Sequence, residues 1–406
     1  MSTSAPTATV QSGKSIPATA LRFVILIGVV SFFADATYEG SRSITGPYLA
    51  VLGASATVVG IVAGFGELVG YGLRIVSGPL ASRTGRYWPI TLFGYVIQMA
   101  AVPLLALAGR WEVAAVLIIV ERTGKAIRNP PRDVMLSHAT KQMGRGWGFG
   151  VHEALDQTGA LVGPLVVAAV LAARGQYPPA FAVLAVPAVL TLTLLVVARI
   201  QYPRPSDLEP DVQDVQATGL PRAYWVYLIG AALVAAGFAD FSLVAFHFQQ
   251  TSTVPSTWIP IFYAIAMAFG GAGSLLFGRL FDRVGIGVLI PLTIASGVFA
   301  PLVFLGSEWI ALIGVVLWGV GIGVHESIMA AAVAELIPAS RRGSAYGIFT
   351  TVYGLSWFAG SALMGILYDR SLTAVIVFSI VAEFIALPFF LSVRGQVRPA
   401  NARVQS

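Results

Sequence analysis

Apolar stretches of twenty or more residues, parted by short polar breaks, follow one another along the chain from Leu21 to Leu391. About 20 apolar residues wound as a helix cross the hydrocarbon core of a bilayer. Inside that core every backbone polar group has to be satisfied within the segment, so each stretch is read as a helix. The predicted spans are 20–48, 57–80, 88–108, 112–138, 145–173, 178–198, 223–252, 257–278, 286–306, 309–337, 343–367 and 372–393. Only one long polar connector interrupts them: residues 199–222, rich in Pro and Asp, separate six spans from six. The pattern predicts an all-α membrane protein with twelve transmembrane helices in two six-helix bundles, 20–198 and 223–393, joined by the linker 199–222. Polar tails, 1–19 and 394–406, are expected at the ends, and the apolar run from Leu21 continues as a first span without a cleavable signal.

Composition agrees with the pattern. Of 406 residues 56% are hydrophobic and 11% charged, where a soluble domain would carry about 25% charge. The absence of cysteine excludes a disulfide scaffold and thiolate chemistry. A sequence pI near 9.6 raises the question of a nucleic-acid partner, and the placement of the basic residues answers it. With the first span running outward, sixteen Lys and Arg fall in cytoplasmic segments and three, Arg110, Arg174 and Arg370, in outer loops. This asymmetry predicts a multi-pass protein of the plasma membrane (cell inner membrane) with both termini cytoplasmic, and no nucleic acid.

The two sets of six spans resemble each other. FADAT at 33–37 recurs as FADFS at 238–242, GPLASRTG at 78–85 as GRLFDRVG at 278–285, and RGWGFG at 145–150 as RGSAYG at 342–347. Spacings of about 200 residues indicate duplication of a six-helix unit. Through these motifs the chain resembles the major facilitator superfamily, whose loop signature between the second and third spans, G-x-L-a-D-R-x-G-R-R, is matched by Gly78, Leu80, Arg83, Gly85 and Arg86. The second copy keeps Gly278, Leu280, Asp282, Arg283 and Gly285. Ser82 replaces the family's Asp in the first copy, so the resemblance assigns a cytoplasmic charge lock to Asp282, with gating expected at these loop residues. GALVGPLV at 159–166 is similar to the family's fifth-span motif G-x-x-x-G-P, associated with antiporters. The resemblance also implies that the first, fourth and fifth spans meet around a central cavity. It assigns no substrate, because this fold carries many kinds of solute.

The charges inside the spans carry the candidate chemistry, since each is costly at membrane depth unless it is paired or faces a polar cavity. In the fourth span Glu121, Lys125, Arg128 and Arg132 fall at i, i+4, i+7 and i+11, on one helical face. Pro130 and Pro131 predict a kink or an unwound turn beside this cationic stripe. Asp35, Glu39 and Arg42 share a face of the first span, and His152, Glu153 and Asp156 cluster in the fifth. Arg42, Lys125, Arg128 and Arg132 are the candidate substrate-binding groups, since Arg presents a planar fork to carboxylate or phosphate; for Arg128 and Arg132 a gating role stands beside it. Asp35, Glu39, Glu121, Glu153, Asp156 and Asp240, the repeat partner of Asp35, are the candidate proton-coupling groups. Glu67 and Arg74 read as structural pairing groups, His325 and Glu326 as a local polar contact, and Glu383 as a buried group awaiting a partner.

These features predict a secondary active transporter that moves a small anionic or zwitterionic solute by alternating access, coupled to protons. No P-loop motif is present, so ATP is not the expected energy source. Import and export both remain open: the fifth-span motif favours antiport and efflux, the cationic stripe uptake of an anion. The competing readings are efflux of metal cations or cationic drugs on the same carboxylates, and a non-transporting sensor or scaffold on this fold. An enzyme is not expected: neither H-E-x-x-H nor G-x-S-x-G occurs. No cofactor or metal site is expected; the partners are the solute, protons and the lipid bilayer, with the monomer as the working unit.

Overall fold

A computed structural model describes residues 18–140, 145–203, 219–337 and 342–395. Most of the two predicted tails and of the 199–222 linker lie outside these residues. Sixteen α-helices and two short 3-10 turns make up the described regular structure, and no strand occurs among the described residues. They are α1 (Ala18–Val51), α2 (Ala56–Gly72), α3 (Arg74–Thr84), α4 (Tyr87–Leu104), α5 (Trp111–Thr140), α6 (Arg145–Arg174), α7 (Tyr177–Val183) and α8 (Ala185–Gln201). After the connector come α9 (Arg222–Gly237), α10 (Phe241–Thr251), α11 (Ile259–Val284), α12 (Leu289–Gly297), α13 (Phe299–Leu305), α14 (Glu308–Leu336), α15 (Arg342–Tyr368) and α16 (Leu372–Val393).

Among the described residues ten helical stretches are long and apolar enough to cross a membrane, which makes this a multi-pass membrane protein. α5 falls outside the ten because the charges from Glu121 to Asp133 dilute its apolar character. Several spans read as one helix are two helices meeting at a break, at Leu73, Leu184 and Val298, and between Gly237 and Phe241. The last break has a visible cause. Asp240 is extended there, and its carboxylate accepts the backbone N–H of Ser242 at 2.9 Å, capping α10.

α5 runs unbroken through Pro130 and Pro131, so of the expected kink or unwound turn the unwound turn does not form. Pro130 has no N–H to donate to the carbonyl of Ala126, four residues back, and the Ser77 hydroxyl from α3 donates to that carbonyl instead, at 2.9 Å. A side chain on a neighbouring helix thus replaces the backbone bond that proline removes.

Helices are held together by close backbone approach. A Cβ on Gly163 of α6 would lie 2.1 Å from the Ala36 carbonyl oxygen of α1, and one on Gly360 of α15 would lie 2.0 Å from that of Ala236 in α9. Gly163 and Gly360 stand at equivalent places in the sequence repeat, and they make equivalent contacts. Most helices before residue 203 pack mainly on one another, as do most of those after 219; α2 and α15 instead pack chiefly on each other and α10 on α1, and α6 crosses α11.

The end of the bundle carrying Ala18, the α3–α4 turn and the close of α16 is called proximal, and the opposite end distal. At the distal end the crossings are tight. A Cβ on Gly46 would lie 1.9 Å from the Ser242 carbonyl oxygen, and one on Gly60 2.3 Å from that of Ser361. The Asp369 carboxylate, at the close of α15, accepts the N–H groups of Ala56 and Thr57 at 3.1 and 2.9 Å, holding the first turn of α2. The α2–α15 seam continues to Tyr71, against Gly354, and stops at the Leu73 break.

Candidate functional site

The charges at membrane depth converge between the helices. A cavity of about 460 Å³ is lined by Asp35, Glu39 and Arg42 of α1, Arg74 of α3, Lys125, Arg128 and Arg132 of α5, and Glu153 and Asp156 of α6. α11 and α14 close its other wall with small and apolar residues, among them Met267, Gly270, Ser274 and Ile322. The volume suits a small solute. Arg132 and Glu153 lie eight residues from the proximal ends of α5 and α6, roughly 12 Å along the helix.

Most of these charges are neutralised by a continuous network. Arg42 pairs with Asp240 at 3.0 Å and with Glu67 at 3.3 Å. Glu67 also pairs with Arg122 at 3.1 Å, and Arg122 lies 3.7 Å from Glu121 and donates to the Tyr38 hydroxyl. Glu121 accepts the Gln98 amide at 2.7 Å, while the Gln98 carbonyl oxygen takes Nε of Arg128. Arg128 is fully buried, donates to the Tyr95 hydroxyl at 2.9 Å and lies 3.6 Å from Asp35. Such a chain confines buried charge at tolerable cost because nearly every group has an opposite partner.

Outside the network, Arg132 pairs with Asp133 at 2.8 Å and donates to the Ser31 hydroxyl, which sits 2.8 Å from Nε2 of His152. Glu39 accepts the Tyr263 hydroxyl of α11 at 2.5 Å. Among the described residues one buried carboxylate oxygen of Asp156 has no hydrogen-bond partner, and Glu153 accepts the Gln157 amide at 2.9 Å. Lys125 rests its ammonium 3.6 Å from the centroid of the Tyr38 ring.

All four candidate binding cations, Arg42, Lys125, Arg128 and Arg132, face the cavity, with Asp35, Glu39, Glu153 and Asp156. Glu121 and Asp240 do not line it and reach it only through Gln98 and Arg42. Sequence reasoning left Arg122 without a role because it stands one position off the α5 stripe, and it read Arg74, which lines the cavity, as structural. Tyr263, Gln98 and Tyr95 carry no periodic signal. Glu383 is buried and accepts the Ser296 hydroxyl at 3.2 Å, away from the cavity. Arg83, Arg86 and Arg283 are exposed at the proximal end. The side chains of Asp282, His325 and Glu326 lie outside those described, as do their expected contacts.

A multi-pass helical bundle enclosing a charged, solute-sized cavity defines a membrane transport protein. The sequence profile of the Major Facilitator Superfamily matches residues 24–361, and the chain belongs to that family. It is 42% identical over 390 residues to an uncharacterized protein of Mycobacterium tuberculosis, covering 94% of this chain and 95% of that one. It is 26% identical over 361 residues to an uncharacterized MFS-type transporter of Methanocaldococcus jannaschii, covering 86% and 89%. Among solved structures, a POT family transporter in complex with 5-aminolevulinic acid superposes with a TM-score of 0.75 at 13% identity, over 93% of this chain and 96% of that one. The family and the structural relatives are transporters, not enzymes.

Proposed function

We propose that the protein is a secondary active transporter that carries a small anionic or zwitterionic solute by alternating access, coupled to protons. The observation that carries this reading is the cavity, where five cations, Arg42, Arg74, Lys125, Arg128 and Arg132, stand against four carboxylates, Asp35, Glu39, Glu153 and Asp156. The cations hold the anionic part of the solute. The carboxylates exchange protons, with Asp156, whose oxygen lacks a partner, and Glu39, which meets α11 through Tyr263, as the principal carriers.

In this reading the helices group into twelve spans, α2 with α3, α7 with α8, α9 with α10 and α12 with α13 each forming one, in two six-helix bundles joined by the 199–222 linker. The proximal end is cytoplasmic in the plasma membrane, as the surplus of Lys and Arg there supports, and the monomer contains one complete pathway. The tight distal crossings and the proximal position of Arg132 and Glu153 support an inward-facing state. Alternating access then rocks one bundle against the other about the cavity.

The test is flux in proteoliposomes. A panel of organic and inorganic anions is expected to yield at least one solute whose accumulation rises at least tenfold when a pH gradient is imposed and falls back with a protonophore. Equal flux with and without the gradient would remove proton coupling, and transport confined to cationic drugs or divalent metals would replace the anionic solute with the efflux reading.

A further inference from the structure

Three of the five cavity cations have carboxylate partners: Arg42 in Glu67 and Asp240, Arg128 in Asp35, and Arg132 in Asp133. Arg74 and Lys125 do not. Among the described residues no carboxylate oxygen lies within 4.0 Å of either. Each rests on a ring instead, Lys125 over Tyr38 and Arg74 over Tyr71, at 3.6 and 5.3 Å from the centroids. Among the described residues Nε of Arg74 is buried without a hydrogen-bond partner, as are Nε of Arg42 and Nη2 of Arg128, but those two arginines have carboxylates beside them.

The two side chains line a common recess of about 60 Å³, which adjoins the main cavity and shares Arg42, Arg74, Lys125 and Ile322 with it. The recess contains one carboxylate, Glu67, and that group is already held by Arg42 and Arg122. A ring face attracts a cation but offers no hydrogen-bond acceptor, so the N–H groups of Arg74 and Lys125 still lack oxygen partners here. An oxyanion supplies such partners: two of its oxygens fit the guanidinium fork, and the ammonium serves as a point charge beside it.

We propose that the recess between Arg74 and Lys125 is the subsite for the anionic group of the transported solute, a carboxylate or phosphate, and that the remainder of the solute extends into the 460 Å³ cavity. This rests on the reading that the solute is anionic or zwitterionic, and it moves the anion from the paired arginines of the α5 stripe to the two cations without carboxylate partners. Arg128, held by Gln98, Tyr95 and Asp35, is structural in this assignment.

The experiment follows the unfolding temperature of the purified full chain in nanodiscs during titration with benzoate and, separately, with inorganic phosphate. In the wild-type protein at least one of the two anions raises it. Arg74→Gln and Lys125→Gln weaken that anion at least tenfold, Arg132→Gln less than threefold, Lys125→Arg keeps most of the affinity, and Arg74→Lys, which keeps the charge but loses the fork, falls between wild type and Arg74→Gln. Because Arg74 and Lys125 lack ion-pair partners, their Gln variants unfold without ligand at or above the wild-type temperature, so a loss of binding is not a loss of fold. A shift from benzoate alone identifies a carboxylate site, and from phosphate alone a phosphate site. Weakening greatest in Arg132→Gln, or equal in all three Gln variants, overturns the subsite and leaves an anionic solute standing. No shift with either anion also overturns it, and if tetraphenylphosphonium then stabilises the protein, the anionic reading falls with it.

Discussion

Replacing Arg42 by Gln is expected to cost the folded protein about 3–5 kcal/mol, the loss that follows when one partner of a buried pair is removed. Arg42 is the only group among the described residues that ion-pairs with Asp240, whose side chain is 1% exposed, and it ties α1 to the start of α10 at the distal crossing. Without it Asp240 keeps only the N–H of Ser242, and Glu67 keeps only Arg122. A net stability of 5–15 kcal/mol leaves little room for such a loss. The single variant should lose much of its yield and unfold at markedly lower temperature, while Arg42→Gln combined with Asp240→Asn should recover most of the stability. A single variant as stable as wild type would mean that the pair does not hold the distal crossing.

Gly46→Val and Gly347→Val should both stop transport, for opposite reasons. A Cβ on Gly46 would sit 1.9 Å from the backbone oxygen of Ser242, so α1 and α10 must separate; overpacking of this kind costs typically 1–3 kcal/mol or more. That variant should lose stability and the distal closure together. Gly347, in the proximal part of α15, meets nothing within 4 Å among the described residues, and neither does Gly150, its counterpart in the sequence repeat. In a rocking transporter the proximal ends close in the other state, and open glycines there leave room for helices to meet. Gly347→Val should therefore fold with wild-type stability yet lower flux at least tenfold. Wild-type flux from that variant would show that this part of α15 takes no part in closure.

Ten of the twelve expected spans coincide to within about five residues with the apolar helical stretches among the described residues, because the apolar runs end at charges and turns. The breaks at Leu73, Leu184 and Val298 were not legible, since hydropathy continues across them. The rhythm of Asp35, Glu39 and Arg42 brings all three to the cavity, and that of Glu121, Lys125, Arg128 and Arg132 brings all but Glu121, because a helical face is a local property. Which charge neutralises which was not legible. Gln98 joins Glu121 to Arg128 across α4, Tyr263 reaches Glu39 from more than two hundred residues away, and Ser77 sustains α5 beside Pro130. Each is a tertiary contact of an ordinary polar residue with no periodic neighbours. Arg74 lay in view seven residues after Glu67, but its lack of an ion-pair partner emerges only when the surrounding helices are in place.

Alternation of access to the cavity is the central claim, and the chain is suited to its test because it contains no cysteine to remove. Ser274 lines the cavity on α11 and differs from cysteine by a single atom. The decisive measurement is the labelling of Ser274→Cys by a membrane-impermeant thiol reagent, applied from one side at a time to proteoliposomes of known orientation. Labelling from both sides is predicted, with Gly347→Val restricting it to the proximal side. Labelling of a transport-competent Ser274→Cys protein from the proximal side alone would contradict alternating access through this cavity.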